Sequence, residues 1–323
     1  MRKAHKKKRF INPFTLLFIV LTSLLLVFTI WALCHPSAVQ DFRYRYLFGE
    51  KKPPLTELRP STIMTEGSRP PTGMENNSES NPGLSGASDD WDHYKLEDIQ
   101  AGRTDIRMSQ ALMLINQAYP LDESFQADIV DFLDTDLKAH RELIDSYWDL
   151  ATAVMDRFDE PLYVISAYRS HEEQKITYEE MPDVAQVPGS SEHESGLALD
   201  VYTFEHAGLA FVDAEPGKWV NENAWKFGFI IRYPMGREDM TGISYEPWHL
   251  RYVGLPHSKI ITERHWVLDE YSSRLTKGQV YREDGFFFSR QDGPDFTVPK
   301  NASDISLSPD NQGSFILTGK VPE

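Results

Sequence analysis

Three short segments of the sequence carry the residue types that metal and acid–base chemistry require. The first is Ser191-Glu-His-Glu-Ser-Gly-Leu-Ala-Leu-Asp200, in which Gly196, Ala198 and Asp200 alternate with aliphatic residues. Residues two apart in a strand share a face, so we expect Asp200 to project where the small residues leave space. A carboxylate in an apolar strand is costly to bury unless it is paired or binds a metal. An aspartate that caps a helix or forms a salt bridge is the alternative.

The second segment is Glu246-Pro-Trp-His249. In an extended chain Glu246 and His249, three positions apart, would not lie strictly on one face. Pro247 fixes a turn-like entry that would let both approach one centre. This segment is not the HExxH helix of the common metalloproteases, which occurs nowhere in the chain.

The third segment runs from Ser166 to Gln174 and contains Tyr168 and Arg169. It follows an apolar run and enters a helix predicted to begin near Ser170. An arginine at a strand end beside a helix N-terminus is well placed to bind a carboxylate or a developing oxyanion. A surface salt bridge is the alternative for Arg169.

The elements that must position these groups are long helices followed by short strands. This pattern is typical of an α+β domain in which helices pack against a small antiparallel sheet. The tail is predicted to be β-like, with strands near 285–289 and 314–318. The predicted helices span 109–117, 125–158 in one or two pieces, and 256–275, and the predicted strands span 162–167, 196–202, 229–232 and 248–253.

Together the three segments resemble the VanY-type D,D-carboxypeptidases, in the LAS group of zinc metallopeptidases related to lysostaphin-like and hedgehog-like zinc folds. The pattern Ser-x-His-x-x-Gly-x-Ala-x-Asp is met over 191–200, Glu-x-Trp-His over 246–249, and Ser-x-Tyr-Arg-Ser-x-x-x-Gln over 166–174. The resemblance covers about residues 105–275. It implies a hedgehog/D,D-peptidase-like fold.

The resemblance implies one Zn²⁺ per chain, with His193, Asp200 and His249 as its ligands. Two imidazoles and one carboxylate leave a fourth tetrahedral position for water, as in catalytic rather than structural zinc sites. Glu246 is implied as the catalytic base that accepts a proton from this water.

Four further residues are implied to act on the substrate. Arg169 would stabilise the oxyanion or bind the terminal carboxylate of the substrate, and the sequence leaves both roles open. Ser191, Gln174 and Tyr168 are implied as groups of the substrate-binding pocket.

The implied activity is hydrolysis of the terminal D-Ala-D-Ala bond of peptidoglycan stem peptides or their precursors. An L,D-carboxypeptidase or a D,D-endopeptidase with the same ligands is the alternative within the zinc class. A non-catalytic wall-binding zinc module is the alternative outside it. A serine D,D-peptidase is disfavoured, because no serine has a lysine three residues later.

The N-terminal region predicts a membrane anchor. Residues 14–34 form a run of 21 residues without a charge, long enough to span a bilayer, and six Lys and Arg residues precede it. By the positive-inside rule, residues 1–12 are a cytoplasmic basic arm and 13–34 a transmembrane helix. We therefore expect a single-pass protein of the bacterial cell membrane with an extracytoplasmic catalytic domain. A cleaved signal peptide is the alternative.

The rest of the chain divides by composition. Residues 35–93 are an extracytoplasmic stalk and flexible linker, dense in Pro, Gly, Ser and Asn. Residues 94–277 are the predicted zinc peptidase domain, and 278–323 a β-like extension of unknown role. The net charge of −16 argues against a nucleic-acid partner. Cys34 is the only cysteine, so no internal disulfide can form.

Overall fold

A computed structural model describes residues 90–183 and 185–322. They form a mixed fold in which strands outnumber helices. The strands are β1 (Trp91–Lys95), β2 (Arg107–Met108), β3 (Ile129–Asp131), β4 (Lys138–His140), β5 (Tyr163–Ser166), β6 (Ala198–Tyr202), β7 (Phe229–Tyr233), β8 (Glu246–Tyr252), β9 (Val280–Glu283), β10 (Phe286–Gln291), β11 (Asp295–Pro299), β12 (Ser303–Pro309) and β13 (Phe315–Lys320). The α-helices are α1 (Leu96–Gln100), α2 (Ile144–Phe158), α3 (His171–Glu180), α4 (Glu215–Asn223), α5 (Glu238–Thr241), α6 (His257–Glu263) and α7 (Leu268–Arg274).

The sheet that carries the chemical motifs is four-stranded and antiparallel, in the order β5-β6-β8-β7. Helix α2 covers one face of it. The helix buries Tyr147, Leu150 and Val154, which recur at helical spacing and pack with Leu199 and Val201 of β6 in one core. The alternation of apolar and small residues in β6 is thus explained, because the aliphatic residues face α2.

The four strands predicted for this sheet and the helix predicted from Ser170 are confirmed. The start of α3 is fixed by a capping box. Ser170 Oγ accepts a hydrogen bond from the backbone N–H of Glu173, and the Glu173 carboxylate accepts one from the backbone N–H of Ser170.

The predicted helices are confirmed in part, because α2 lies within the predicted 125–158 span and α6 and α7 within 256–275. Residues 109–117 form no helix, because their backbone bonds to a distant strand instead: the N–H of Ser109 donates to the Leu307 carbonyl and that of Leu114 to the Asp310 carbonyl. Residues 125–143 contain the antiparallel β3–β4 pair rather than a helix. The predicted 256–275 helix is two helices, α6 and α7, separated by a turn in which His265 has φ +54°.

The C-terminal residues build a second sheet, in the order β2-β12-β13-β10-β9, and β11 pairs with β1. The predicted strands at 285–289 and 314–318 fall on β10 and β13. Strand β2, which precedes the motif-bearing sheet in the chain, pairs in parallel with β12. Apolar residues of β10 and β13 share a core with α6, α7 and Ile230 of β7, so this second sheet packs on the helices that follow β8.

No helix within residues 90–183 and 185–322 is both long and apolar enough to cross a membrane. The anchor predicted over 13–34, the basic arm and most of the predicted linker lie outside the described residues. They remain predictions, as do the domain boundaries.

His257 joins the two parts of the fold through a buried imidazole. Its Nδ1 lies 2.6 Å from the Tyr271 hydroxyl and its Nε2 2.8 Å from the Thr318 hydroxyl of β13. Burial lowers the pKa of His257 to about 3. An unfolded histidine titrates near pH 6.5, so the unfolded chain takes up the proton first. Stability from this group is present above about pH 6.5 and is lost as the pH falls toward 3.

As the pH falls through that range, we expect His257 to lower the free energy of unfolding by up to about 1.4 kcal/mol for each pH unit. His257→Gln should remove that part of the pH dependence, measured by denaturant unfolding at several pH values. Thr318→Val is the control, since it disturbs the same contact and leaves the titrating ring in place. An unchanged pH dependence in His257→Gln would contradict the assignment.

Candidate metal centre

Strand register brings residues of the three motifs side by side. Ser166 of β5 lies opposite Asp200 of β6, and Asp200 lies opposite His249 of β8. The β7–β8 pairing is irregular, because Ile231 pairs with Leu250 and Tyr233 with Glu246. The extra residues in β8 form a bulge, which changes the face of the sheet to which the neighbouring side chains of β8 point. Glu246 Oε2 consequently lies 3.7 Å from His249 Nδ1, although the two residues are three apart.

His193 reaches the same place from a 3₁₀ turn, Glu192–Ser195, just before β6. Gly196 ends this turn at φ +70°. A Cβ at Gly196 would lie 2.4 Å from Ile129 Cδ1 and 2.8 Å from the backbone nitrogen of His140. Only glycine fits here, for both its backbone angle and the space. The tight turn lets the chain return into β6 within reach of His193.

One donor atom from each of His193, Asp200 and His249 lies within 4.8 Å of the other two. His193 Nε2 is 3.2 Å from Asp200 Oδ2, and His249 Nδ1 is 3.1 Å from Asp200 Oδ1. The second contact lacks hydrogen-bond alignment, so buried Oδ1 is left without a partner. His193 Nδ1 lies 2.7 Å from the Ala167 carbonyl, which makes Nδ1 the donor and leaves the Nε2 lone pair facing Asp200.

The charges of this cluster are strongly coupled. Burial would raise the pKa of Asp200, but the adjacent imidazoles of His193 and His249, when protonated, outweigh it and lower the pKa. Burial would lower the pKa of His249, yet the nearby carboxylates of Asp200 and Glu192 raise it to about 10. A cation is therefore favoured between these groups, and a metal ion would replace the proton.

Glu246 stands beside the cluster with its side chain 26% exposed. Burial raises its pKa, with smaller contributions from the negative charges of Asp200 and Glu192, against the lowering effect of His249. A carboxyl group of raised pKa that faces partly to solvent can exchange protons with a water or substrate there.

Arg169 places a cation beside the cluster. Its backbone N–H donates to the His193 carbonyl, which holds it next to the cluster. Among the described residues its guanidinium makes no ion pair, and its buried Nε has no hydrogen-bond acceptor. Burial lowers the pKa of Arg169, and the charges of Asp200, Glu194 and Glu173 oppose that shift. A guanidinium without an ion pair among the described residues can bind an anionic group.

The predicted pocket residues are less closely tied to the cluster. Gln174 is buried, and its amide nitrogen donates to the Gln186 carbonyl at 2.6 Å, which leaves its amide oxygen unpartnered. Ser191 is also buried. Burial raises the pKa of the Tyr168 hydroxyl. In the described part of the chain, no hydrogen bond or ion pair joins these side chains to His193, Asp200 or His249.

Sequence reasoning missed a buried ionic cluster behind His249. Glu192 lies against His249, and Arg232 of β7 and Arg251 of β8 contact its carboxylate. A usable signal is present for Arg232, since it interrupts the apolar strand β7 and a buried charge requires a partner. The partners themselves are far apart in sequence and could not be paired from it.

The residues present fit a metal ion. The three donors are buried or nearly so, they are two imidazoles and one carboxylate, and Asp200 Oδ1 is a buried acceptor without a donor. This donor set is the one that catalytic zinc sites use.

Comparison with known proteins agrees with the motifs. The family model described as "VanY: D-alanyl-D-alanine carboxypeptidase" matches residues 137–255. The D-alanyl-D-alanine carboxypeptidase of Enterococcus faecium is 43% identical over 184 residues, covering 51% of this chain and 58% of that protein. The bifunctional D-Ala-D-Ala dipeptidase and D-Ala-D-Ala carboxypeptidase VanXYC of Enterococcus gallinarum is 33% identical over 183 residues, covering 51% of this chain and 95% of that protein.

A solved structure extends the match. The crystal structure of the vancomycin-resistance D,D-dipeptidase VanXYg, in complex with a D-Ala-D-Ala phosphinate analogue, has a TM-score of 0.59 and 25% sequence identity. The match covers 71% of this chain and 98% of the VanXYg chain. The chain spans 58% of the length of the E. faecium relative and nearly all of the E. gallinarum one. By sequence and by fold, this chain belongs to the VanY family of D-alanyl-D-alanine carboxypeptidases.

Proposed function

We propose that this chain is a zinc-dependent D,D-carboxypeptidase that removes the terminal D-alanine from peptidoglycan stem peptides or their precursors. One observation carries the proposal: His193, Asp200 and His249 converge, with the carboxyl group of Glu246 beside them. The names of the enterococcal relatives support the substrate class. The donor set supports zinc, because two histidines and a carboxylate leave one coordination position open.

His193 would hold the ion through Nε2, His249 through Nδ1, and Asp200 through its carboxylate. When bound, the ion would supply Lewis-acid activation of a water molecule and of the substrate carbonyl. Glu246 accepts the proton of the attacking water and returns it to the amine of the departing D-alanine. Its raised pKa suits both steps, because a base and an acid are most effective when their pKa lies near the working pH.

Arg169 either binds the terminal carboxylate of the substrate or stabilises the oxyanion. We expect Arg169→Ala to lower kcat/KM by about 10²–10³-fold, the loss typical of one such stabilising group. A rise in KM with unchanged kcat would assign Arg169 to the carboxylate, whereas a fall in kcat would assign it to the transition state. Steady-state kinetics on a pentapeptide stem provide the measurement.

Arg157→Ala is the matched control for Arg169, because Arg157 is an exposed arginine at the end of α2. Its kinetic constants should equal those of the wild type. If Arg169→Ala leaves both kcat and KM unchanged, Arg169 has neither role.

Digestion of defined muropeptides, analysed by mass spectrometry, tests the activity itself. A pentapeptide stem ending in D-Ala-D-Ala should lose one terminal D-alanine, a chelator should stop the release, and added Zn²⁺ should restore it. Cleavage of a tetrapeptide stem alone would instead indicate an L,D-carboxypeptidase, and cleavage of an internal bond an endopeptidase. Release that is insensitive to chelation would reject the role of the metal.

We also propose that the protein is a single-pass protein of the bacterial cell membrane with its catalytic domain outside the cytoplasm. The uncharged run over 14–34 and the basic residues before it support this placement, and so does the site of the proposed substrate. Protease added to intact protoplasts should degrade the catalytic domain, and full protection would reject the placement.

A further inference from the structure

Glu192 presents a buried carboxylate to the outer nitrogen of His249. Glu192 Oε2 lies 3.5 Å from His249 Nε2, on the opposite side of the ring from Asp200. Both atoms are buried, and neither has a hydrogen-bond partner among residues 90–183 and 185–322. A buried polar atom without a hydrogen-bond partner costs free energy. Glu192 Oε2 and His249 Nε2 are therefore suited to partner each other.

Two arginines hold the other oxygen of Glu192 in place. Arg232 Nε lies 2.7 Å and Arg251 Nη1 2.6 Å from Glu192 Oε1. All three side chains are fully buried. Because both cations bind Oε1, Oε2 is left to face His249.

The arginines are themselves anchored to distant segments. Arg251 Nη2 donates to the carbonyl of Ala111 at 3.1 Å and to that of Met113 at 2.7 Å. Arg232 Nη1 lies 2.6 Å from Asp269 Oδ2 of α7. The position of the Glu192 carboxylate is thus fixed from several sides, and so is the direction in which Oε2 points.

We propose that Glu192 is a positioning residue: its Oε2 accepts a hydrogen bond from the Nε2–H of His249, which keeps the proton on Nε2 and leaves the Nδ1 lone pair facing Asp200 and the metal. The inference rests on the metal site of the proposed function. A histidine ligand commonly donates its second N–H to a carboxylate or carbonyl, which fixes its tautomer and ring orientation. His193 has the carbonyl of Ala167 in this role, and Glu192 is the corresponding acceptor for His249.

A purely structural role, in which Glu192 only balances the two buried arginines, makes a different prediction. Asp310 offers the comparison, since it is a fully buried carboxylate just after β12 and lies 2.6 Å from Arg290 of β10. Asp310→Asn and Glu192→Gln each remove the negative charge of one buried carboxylate that is paired with arginine. Only Glu192→Gln also alters a contact with a candidate metal ligand.

The test is the Zn²⁺ dissociation constant, measured by competition with a chromophoric chelator at a temperature where circular dichroism shows each variant folded. Glu192→Gln should bind Zn²⁺ about 10–100-fold more weakly than the wild type, the range typical of a lost outer partner. Asp310→Asn should keep the wild-type affinity while unfolding at a lower temperature. The visible spectrum of the Co²⁺-loaded protein should change in Glu192→Gln alone.

Wild-type zinc affinity in folded Glu192→Gln would overturn the proposal. Should that variant fail to fold, Glu192→Asp replaces it: the charge stays between the arginines, but the carboxylate is withdrawn by about 1.5 Å, one C–C bond. Unchanged affinity in Glu192→Asp would overturn the proposal equally. A wild-type chain that binds Zn²⁺ tightly but releases no D-alanine would reject the proposed function alone, and one that binds no Zn²⁺ would reject both.

Discussion

Glu246→Gln should lose D-alanine release by about 10²–10⁴-fold, the contribution typical of a positioned general base. The amide keeps the size of the side chain but cannot accept the proton of the attacking water. In the wild type, the carboxyl group of Glu246 lies 3.7 Å from His249 Nδ1, close to where that water would be activated. The measurement is the rate of D-alanine release from a pentapeptide stem at saturating Zn²⁺.

The same variant should still bind Zn²⁺, because Glu246 is not one of the three converging donors. Glu215→Gln is the control, since Glu215 is an exposed carboxylate at the start of α4. A Glu246→Gln variant that hydrolyses at the wild-type rate would refute the role of general base. A loss of zinc affinity as large as the loss of rate would show instead that Glu246 is a ligand.

The parts of the fold that were predicted correctly are those whose pattern is local. Alternation and the Gly and Pro boundaries predict the strands around Asp200 and His249, and Ser170 predicts the start of α3. The apolar periodicity of residues 109–117 favours a helix. Their backbone bonds instead to Ser308 of β12 and to Asp310 just after it, almost two hundred positions away. No local pattern contains that information, and tertiary pairing overrides periodicity.

The candidate site shows the same division. The three donors and Glu246 stand in recognisable motifs, so their types and order could be read from the sequence. The irregular β8 register that lets Glu246 and His249 share a side was only hinted at by Pro247. Glu192 could not be matched with Arg232 or Arg251, because the partners are 40 and 59 positions away and charge alone does not select one pairing.

The motifs therefore identify the side chains that would bind a metal. The structure shows the neighbouring groups that orient these side chains. His193 and His249 are both constrained at their outer nitrogens, one by a backbone carbonyl and the other by a buried carboxylate. Asp200 lies between their inner nitrogens. Of the three candidate ligands, the carboxylate is the one whose loss should affect both imidazoles.

Asp200→Asn should accordingly weaken Zn²⁺ binding by more than the roughly 10–100-fold that the loss of an outer partner costs. The amide removes the negative charge that lowers the energy of a cation held between His193 and His249, and it turns one acceptor into a donor. D-alanine release should fall to background at ordinary Zn²⁺ concentrations. The zinc dissociation constant and the rate of release, measured on the same preparation, provide the check.

Thermal unfolding supplies an independent measure of the same loss. A ligand that binds only the folded state stabilises it by about 2.7 kcal/mol at a hundred times its dissociation constant, so Zn²⁺ should raise the Tm of the wild type and a chelator should lower it. Asp200→Asn should lose this response, whereas Asp292→Asn, which alters an exposed aspartate paired with Lys277, should keep it. If Asp200→Asn binds Zn²⁺ and responds to it as the wild type does, these three side chains do not form the metal site.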